Sequence, residues 1–254
     1  MASERSAFLK AILSAAFLAA TCLPTCAAAA PDSLREGLFG PKPSAERRTP
    51  NAPVVARYMS ENGQSFVLDR SQRRPLLKFD NSPEVWALSS QQAPRGDVIY
   101  KNDIGRTMLR TTRLGGVTLF TEAQPAGSAV SLSGAGPSLR LSSMGPQALA
   151  ERLLQASARA SRAARRTVQF EAEAAPESSA LVADSAIVTA EAVVRLARRP
   201  KGQTTLAGFS KVRFMEGRKP GAAVRQGILQ ITITLKDGYG GRPSTERIIA
   251  AAMK

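Results

Sequence analysis

Short runs of apolar, aromatic and β-branched residues alternate with turn residues from Ser65 onward. The runs are bounded by Gly, Pro, Asn, Asp or Ser and recur about every eight to twelve residues. They read SFVLDR (65–70), PLLKFD (75–80), EVWALS (84–89), DVIYKN (97–102), TMLRTTRL (107–114) and VTLFT (117–121). These intervals are too short for crossover helices, so the pattern predicts an antiparallel sheet.

Gly115 and Gly116 lie between the last two of these runs. A glycine pair in this position forms either a phosphate-binding loop or a hairpin turn. A phosphate loop is expected to lead into a helix N-terminus, whereas VTLFT is typical of a strand. The pair therefore predicts a two-residue type I′ hairpin turn, in which both central residues have positive φ.

The pattern changes after a glycine- and serine-rich connector at 125–146, which has room for one short strand. Beyond it, apolar residues recur at helical spacing in some segments and alternate at strand spacing in others. The pattern predicts helices over 147–166, 178–199 and 244–254, and strands over 167–174, 211–217 and 228–238.

The chain is therefore predicted to be an α+β protein, with an antiparallel β-rich region at 60–145 packed with an α+β region at 146–254. The two regions either form separate domains or share one core, because a sheet with one apolar face needs a cover. Residues 30–59 are rich in proline and have no sustained period, which predicts a linker or a weakly ordered arm.

Residues 1–29 have the three-part pattern of a cleaved secretory signal peptide. Arg5 and Lys10 precede a short apolar run, and small residues follow it, which predicts cleavage after Ala28 or Ala29 and a periplasmic protein. Both cysteines belong to this leader, so the mature chain is expected to fold without disulfides. The rest of the sequence has no uninterrupted apolar stretch long enough for a transmembrane segment.

The chain is strongly basic, with a formal net charge of +15 from 35 basic and 20 acidic residues. Such a charge attracts anionic partners, and export favours lipid headgroups and acidic envelope polymers over nucleic acid. Arginine exceeds lysine and alanine is abundant, so a compositional bias of the genome is an equally good explanation of the charge.

Histidine and cysteine, two residue types that many enzymes use for catalysis, are missing from the mature sequence. Histidine is absent and the cysteines lie in the leader, which removes imidazole bases, thiolate nucleophiles and the usual zinc ligands. Gly-x-Ser-x-Gly and Ser-x-x-Lys motifs do not occur either. Carboxylates remain at Asp69, Asp80, Glu84, Asp97 and Asp103, but their spacing defines no catalytic pair. No catalytic residue, metal site or cofactor is predicted.

One segment, KDGYGGRPSTER (236–247), combines the features of an anion site. Gly238, Gly240 and Gly241 would let the backbone approach a ligand, and Arg242 would supply a charged planar fork. A helix that begins at Ser244 would add free N–H groups. The alternative is a strand-to-helix turn in which Ser244 only caps the helix.

The helix predicted at 147–166 carries an arginine-rich face beside a face of alanine and leucine. The arginines are Arg152, Arg159, Arg162 and Arg166. They either contact an anionic surface or remain solvated while the apolar face packs on the sheet. The absence of Trp and Phe from the apolar face favours packing.

The segments FVLDRS, LLKFDNSPEVWAL, APRGDVIYKNDIG, LGGVTLF and GYGGRPS resemble the pattern of an uncharacterised family of exported alphaproteobacterial proteins. The resemblance covers about residues 60–250 and implies a domain of unknown function, with no ligand or catalytic residue. The expected function is an exported, non-enzymatic module of the cell envelope, structural or binding, with a basic surface suited to anionic partners. The alternative is an enzyme or sensor that acts on an anionic envelope ligand through the Gly238–Ser244 loop.

Overall fold

The first half of the described chain forms nine antiparallel strands. A computed structural model describes residues 52–173 and 175–254 of the protein. The strands are β1 (Val55–Ser60), β2 (Ser65–Asp69), β3 (Leu76–Phe79), β4 (Val85–Ala87), β5 (Ser89–Gln92), β6 (Val98–Lys101), β7 (Thr107–Thr111), β8 (Val117–Leu119) and β9 (Ser128–Ala135). The predicted antiparallel sheet is therefore confirmed.

The sheet closes on itself because its two edge strands are consecutive in the chain. The strand order is β4-β3-β2-β1-β9-β8-β7-β6-β5, so β4 and β5 lie at opposite edges. Only Leu88 separates β4 from β5. One stretch of chain therefore pairs with β3 through its first part and with β6 through its second, which joins the edges.

Alternating side chains fill the interior of this closed sheet. On β2, Phe66 and Leu68 belong to the interior cluster, whereas Val67 between them belongs to a smaller cluster on the outer face. The interior cluster contains Ala56, Tyr58, Phe66, Leu68, Leu77, Phe79, Trp86, Leu88, Tyr100, Met108, Leu109, Val117 and Leu119. Burial of these apolar side chains is the main stabilising contribution of the sheet.

The Gly115–Gly116 hairpin exists, but its turn is longer than predicted. Thr112 N donates to Gly116 O at 2.8 Å, and Gly115 N donates to Thr112 O at 3.0 Å. Gly115 has a φ of +91°, while Gly116 has no positive φ. This is a three-residue loop that ends on a left-handed glycine, so the prediction of a two-residue type I′ turn was wrong.

Asp69, at the end of β2, holds the segment that follows β9 against the outside of the closed sheet through hydrogen bonds. Its carboxylate is fully buried. It accepts hydrogen bonds from Ser71 N at 2.8 Å, Ser71 Oγ at 2.6 Å and Leu139 N at 2.8 Å. Burial alone would raise the pKa of Asp69, but these hydrogen bonds outweigh burial and hold the pKa below its ordinary value.

The second half of the chain forms a four-stranded mixed sheet covered by helices. The elements are α1 (Pro146–Ala164), β10 (Gln169–Glu173), α2 (Ser179–Ala197), α3 (Gly202–Leu206), β11 (Lys211–Glu216), β12 (Gly221–Arg225), β13 (Ile228–Ile233) and α4 (Thr245–Ala252). The strand order is β10-β11-β13-β12, with β10, β11 and β13 parallel. The α+β class predicted for the chain is confirmed.

Helix α2 lies in the centre of this second region. It packs against α1 and α4, and it contributes Leu181, Val188 and Val193 to the hydrophobic cluster that covers the mixed sheet. The predicted apolar face of α1 is also confirmed, since Ala156, Ala160 and Ala164 are buried. This cluster is separate from the one inside the closed sheet.

The described residues belong to one compact unit, although its two regions have separate hydrophobic clusters. Strand β1 lies within the range predicted to be an arm, which corrects that prediction for residues 55–59. The predicted signal peptide at 1–29, and the arm as far as residue 51, lie outside the described residues.

Candidate functional site

Arg242, the charged residue of the predicted anion loop, lies in the interior. Its side chain is 2% exposed. Its Nε donates to the Asp184 carboxylate on α2, and its Nη2 donates to the Val85 carbonyl of β4 at 2.9 Å. Its Nη1 lies 3.8 Å from Glu84 Oε1. Arg242 thereby joins the helical region to the closed sheet.

Carboxylates from the closed sheet meet the N-terminus of α4. Glu84 is fully buried and accepts from Thr245 N at 2.9 Å and from Thr245 Oγ1 at 2.6 Å. Asp103 Oδ2 accepts from Ser244 N at 3.0 Å. These anions satisfy N–H groups that the first turn of a helix leaves without intrahelical partners. We call Glu84, Asp103, Asp184, Arg242 and Thr245 the Arg242 network.

Burial and neighbouring charges shift the pKa values of Glu84 and Arg242 in this network. Burial raises the pKa of Glu84, and Arg242 with the two hydrogen bonds from Thr245 offsets that rise only in part. Burial would lower the pKa of Arg242, but the carboxylates of Asp184 and Glu84 raise it, so the guanidinium remains charged. Two carboxylates share one buried cation, and the solvent does little to screen them.

The glycines of the loop allow close approach within the chain itself. Residues Leu235–Gly241 form a 3-10 turn. A Cβ on Gly241 would lie 1.8 Å from the Thr234 carbonyl oxygen, and one on Gly240 would lie 2.9 Å from Arg74 Nη1. Gly238 has a φ of +50°. The predicted strand at 228–238 ends earlier, at Ile233, because this turn begins at Leu235.

Ser244 caps the last helix, as the alternative interpretation of the loop predicted. Its Oγ accepts from Arg247 N at 3.1 Å. An arginine and a helix N-terminus do meet anions here, but these anions are carboxylates of the chain. Binding of an external anion by Gly238, Gly240, Gly241, Arg242 and Ser244 remains a prediction, and such an anion would have to displace Glu84, Asp103 or Asp184.

A small cavity beside the Arg242 network limits what the network can do chemically. The cavity has a volume of about 10 Å³ and is lined by Arg74, Trp86, Asp103, Tyr239 and Arg242, among others. This volume accommodates about one water molecule. Sequence reasoning did not identify Glu84 and Asp184 as partners of Arg242, because only the fold brings these separate segments together.

A larger cleft lies at one end of the closed sheet and has a volume of about 310 Å³. Phe79, Trp86 and Met108 line it from the sheet, while Arg195 of α2 and Glu246 of α4 line it from the helical region. Arg106 Nη1 donates to Glu246 Oε1 at 2.8 Å and so links the two sides. Clefts of this size between packed layers are common positions for ligand sites.

The four arginines predicted to form one face of α1 differ in their surroundings. Arg152 and Arg162 are exposed. Arg159 is half-buried and forms an ion pair with Glu191 of α2. Arg166 donates to the Ala207 carbonyl at 2.9 Å. The apolar side of α1 packs on strand β10 and also on helix α2, whereas the prediction named only the sheet.

The C-terminal ends of α1 and α2 together form a wider basic surface. Gln203 Nε2 donates to the Ala163 carbonyl at 3.0 Å, which places the segment after α2 beside the end of α1. We define the basic face as Arg162, Arg165, Arg166, Arg198, Arg199 and Lys201, all of which are exposed. Residues 152–170 and 192–215 contain no acidic residue. Sequence analysis identified only Arg162 and Arg166 of this set.

The fold and its sites define an α+β protein in which a closed antiparallel sheet is joined to a helix-covered mixed sheet by a buried ionic network. The chain belongs to the family described as a domain of unknown function, DUF4908, whose profile matches residues 33–252. The predicted resemblance to an uncharacterised family is therefore confirmed, and the match begins earlier than residue 60. No curated protein and no solved structure matches the chain significantly.

Within 52–173 and 175–254, none of the helices has both the length and the apolar character needed to cross a bilayer. In the same ranges, the acidic side chains form no group of three suited to holding a metal ion.

Proposed function

We propose that this protein is an exported, non-enzymatic module of the cell envelope that binds anionic envelope components through its basic face. The observation that carries the proposal is the basic face itself. Six cationic side chains converge at the ends of α1 and α2 from segments without acidic residues. Cationic side chains near an anionic membrane surface contribute about 1 kcal/mol each to binding.

The position of these residues also agrees with helix electrostatics. The C-terminus of a helix carries a partial negative charge, which lowers the cost of gathering cations there. Arg162 lies in the last turn of α1, and Arg198 is the C-cap of α2. The helix ends therefore reduce the repulsion among these cations in the folded protein before any partner is bound.

The Arg242 network supports a non-enzymatic role over catalysis. Glu84 has the raised pKa that a general acid would need, but both of its oxygens accept hydrogen bonds from Thr245. The cavity at the network has a volume of only about 10 Å³. The alternative, an enzyme or sensor acting on an anionic ligand at Gly238–Ser244, would need this network to open.

Sedimentation with lipid vesicles tests the proposed contact. Replacing Arg162, Arg165 and Arg166 together by Gln should weaken binding to phosphatidylglycerol vesicles on the order of 100-fold at low salt. The matched control replaces Arg73, Arg113 and Arg225 by Gln, since these arginines are also exposed but lie apart.

The control should lose far less affinity than the basic-face variant, although both change the net charge equally, because its three arginines do not lie on one surface. Soluble acidic polysaccharide, used as a competitor, separates a polymer partner from a lipid partner. Equal losses for the two triple variants would show that only total charge matters, and the basic face would then have no special role.

Export is tested by the mass of the protein isolated from the cell envelope of its source. The proposal expects a chain that begins at residue 29 or 30, because the leader is cleaved after Ala28 or Ala29. A chain that retains Met1 in the cytoplasmic fraction would contradict export.

A further inference from the structure

The cleft at the end of the closed sheet has a balanced charge, unlike the exterior of the protein. Its ionic lining consists of Arg106 and Arg195 with Glu122 and Glu246. Arg106 Nη1 lies 3.2 Å from Glu122 Oε1 and 2.8 Å from Glu246 Oε1. Arg195 Nε donates to Glu191 Oε1 at 3.0 Å. A charged ligand would have to compete with these existing ion pairs, so the cleft favours a neutral one.

One part of the cleft wall is apolar and contains flat aromatic surfaces. Phe79, Trp86, Met108 and Phe120 form this part of the lining. Phe120 is only half-buried, whereas Trp86 is 5% exposed. Phe120 therefore offers most of the aromatic surface that the flat side of a ring would contact, while Phe79, Trp86 and Met108 contribute little exposed area.

The other part of the lining carries neutral groups that both donate and accept hydrogen bonds. These are the amides of Gln64 and Asn81 and the hydroxyls of Ser82 and Thr121. Amides and hydroxyls each offer donors and acceptors, so they match ligand hydroxyls, which also do both. The lining thus pairs an apolar wall with a wall suited to hydroxyl groups.

We propose that this cleft binds a neutral, polyhydroxylated ring of the pyranose class. The C–H face of the ring would lie on the aromatic wall, and its hydroxyl groups would bond to Gln64 and Asn81. The volume of about 310 Å³ is at the lower end of the range for ligand pockets, which suits one or two sugar rings. This binding is independent of the anionic contact at the basic face.

The protein provides its own reporter for this cleft. Trp86 is the single tryptophan of the chain and forms part of the lining. Titration of the wild type with glucose, N-acetylglucosamine and their β-1,4 disaccharides should change the Trp86 emission saturably. We expect a Kd on the order of 1 mM for the best of them, from the contact that a ligand of this size makes.

A matched pair of variants assigns the binding to the cleft. Asn81→Ala removes one hydrogen-bonding amide and should weaken sugar binding about fivefold. Asn62→Ala is the control, because Asn62 is exposed in the turn between β1 and β2 and does not line the cleft. Both variants should keep the vesicle binding of the wild type, and the basic-face variant should keep its sugar binding.

Four results would overturn the proposal. The first is an unchanged Trp86 emission with every neutral sugar up to about 50 mM, well above the expected Kd. The second is tighter binding of glucuronate than of glucose, which would show selection for an anion. The third is saturable binding of an uncharged apolar dye such as Nile red in the cleft that no sugar displaces. Equal affinities of the Asn81→Ala and Asn62→Ala variants would also contradict it.

Discussion

Arg242→Met should lower the free energy of unfolding by about 3–5 kcal/mol, because removal of one partner of a buried ion pair leaves uncompensated charge in the interior. Here two carboxylates, those of Glu84 and Asp184, lose their cationic partner. Glu84 is fully buried and Asp184 has a side chain that is 14% exposed, so neither is solvated well once the guanidinium is gone. Denaturant unfolding of the two proteins at pH 7 measures the difference.

Arg225→Met is the matched control for this prediction, since Arg225 is exposed on β12. It should change stability by no more than about 0.5 kcal/mol. In the double variant Glu84→Gln with Arg242→Met, the loss should be smaller than the sum of the two single losses, because the groups interact directly. Additive losses would show that Arg242 does not stabilise the network through Glu84.

Asp69→Asn should destabilise the protein at neutral pH and abolish part of its acid sensitivity. In this variant an amide nitrogen replaces a carboxylate oxygen and faces the N–H donors of Ser71 or Leu139. A buried donor without an acceptor costs about 1–3 kcal/mol. The variant should therefore lose at least that much stability at pH 7.

The pH dependence follows from the direction of the pKa shift. The folded state holds the pKa of Asp69 below its ordinary value of 3.8. The ionised group therefore stabilises the protein fully above about pH 4, and this stabilisation is lost as the pH falls through the folded pKa. Unfolding curves at pH 7 and pH 2.5 should show that wild type and Asp69→Asn differ less at the lower pH. A difference that is unchanged or larger at pH 2.5 would contradict this account. The control variant is Asp80→Asn, because the side chain of Asp80 is half-exposed.

The long periodic elements were predictable from sequence, and the polar or proline-rich strands were not. The helical spacing of apolar residues in α1 and α2 identifies both helices. Strand β5 reads SSQQ and is exposed along its whole length, so it has no apolar period to detect. Strand β1 follows a proline-rich segment, and its pairing with β2 and β9 outweighs that local composition.

The candidate site was predictable only in its local part. The cap formed by Ser244 and the turn glycines depend on neighbouring residues, so sequence analysis could identify them. Arg242 meets Asp184, which is 58 residues away, and Val85, which is 157 residues away. Burial of Arg242 depends on the closure of the sheet and the docking of α4, which no local pattern encodes.

A proton–nitrogen NMR titration of the wild-type chain with short polyphosphate locates the anion-binding residues most directly. The account predicts shifts at the backbone amides of residues 162–166 and 198–203, around the basic face. It predicts unchanged amides at Ser244 and Thr245, whose N–H groups already bond to Asp103 and Glu84. Shifts concentrated at residues 238–245, with the basic face unaffected, would contradict the account and assign anion binding to the loop.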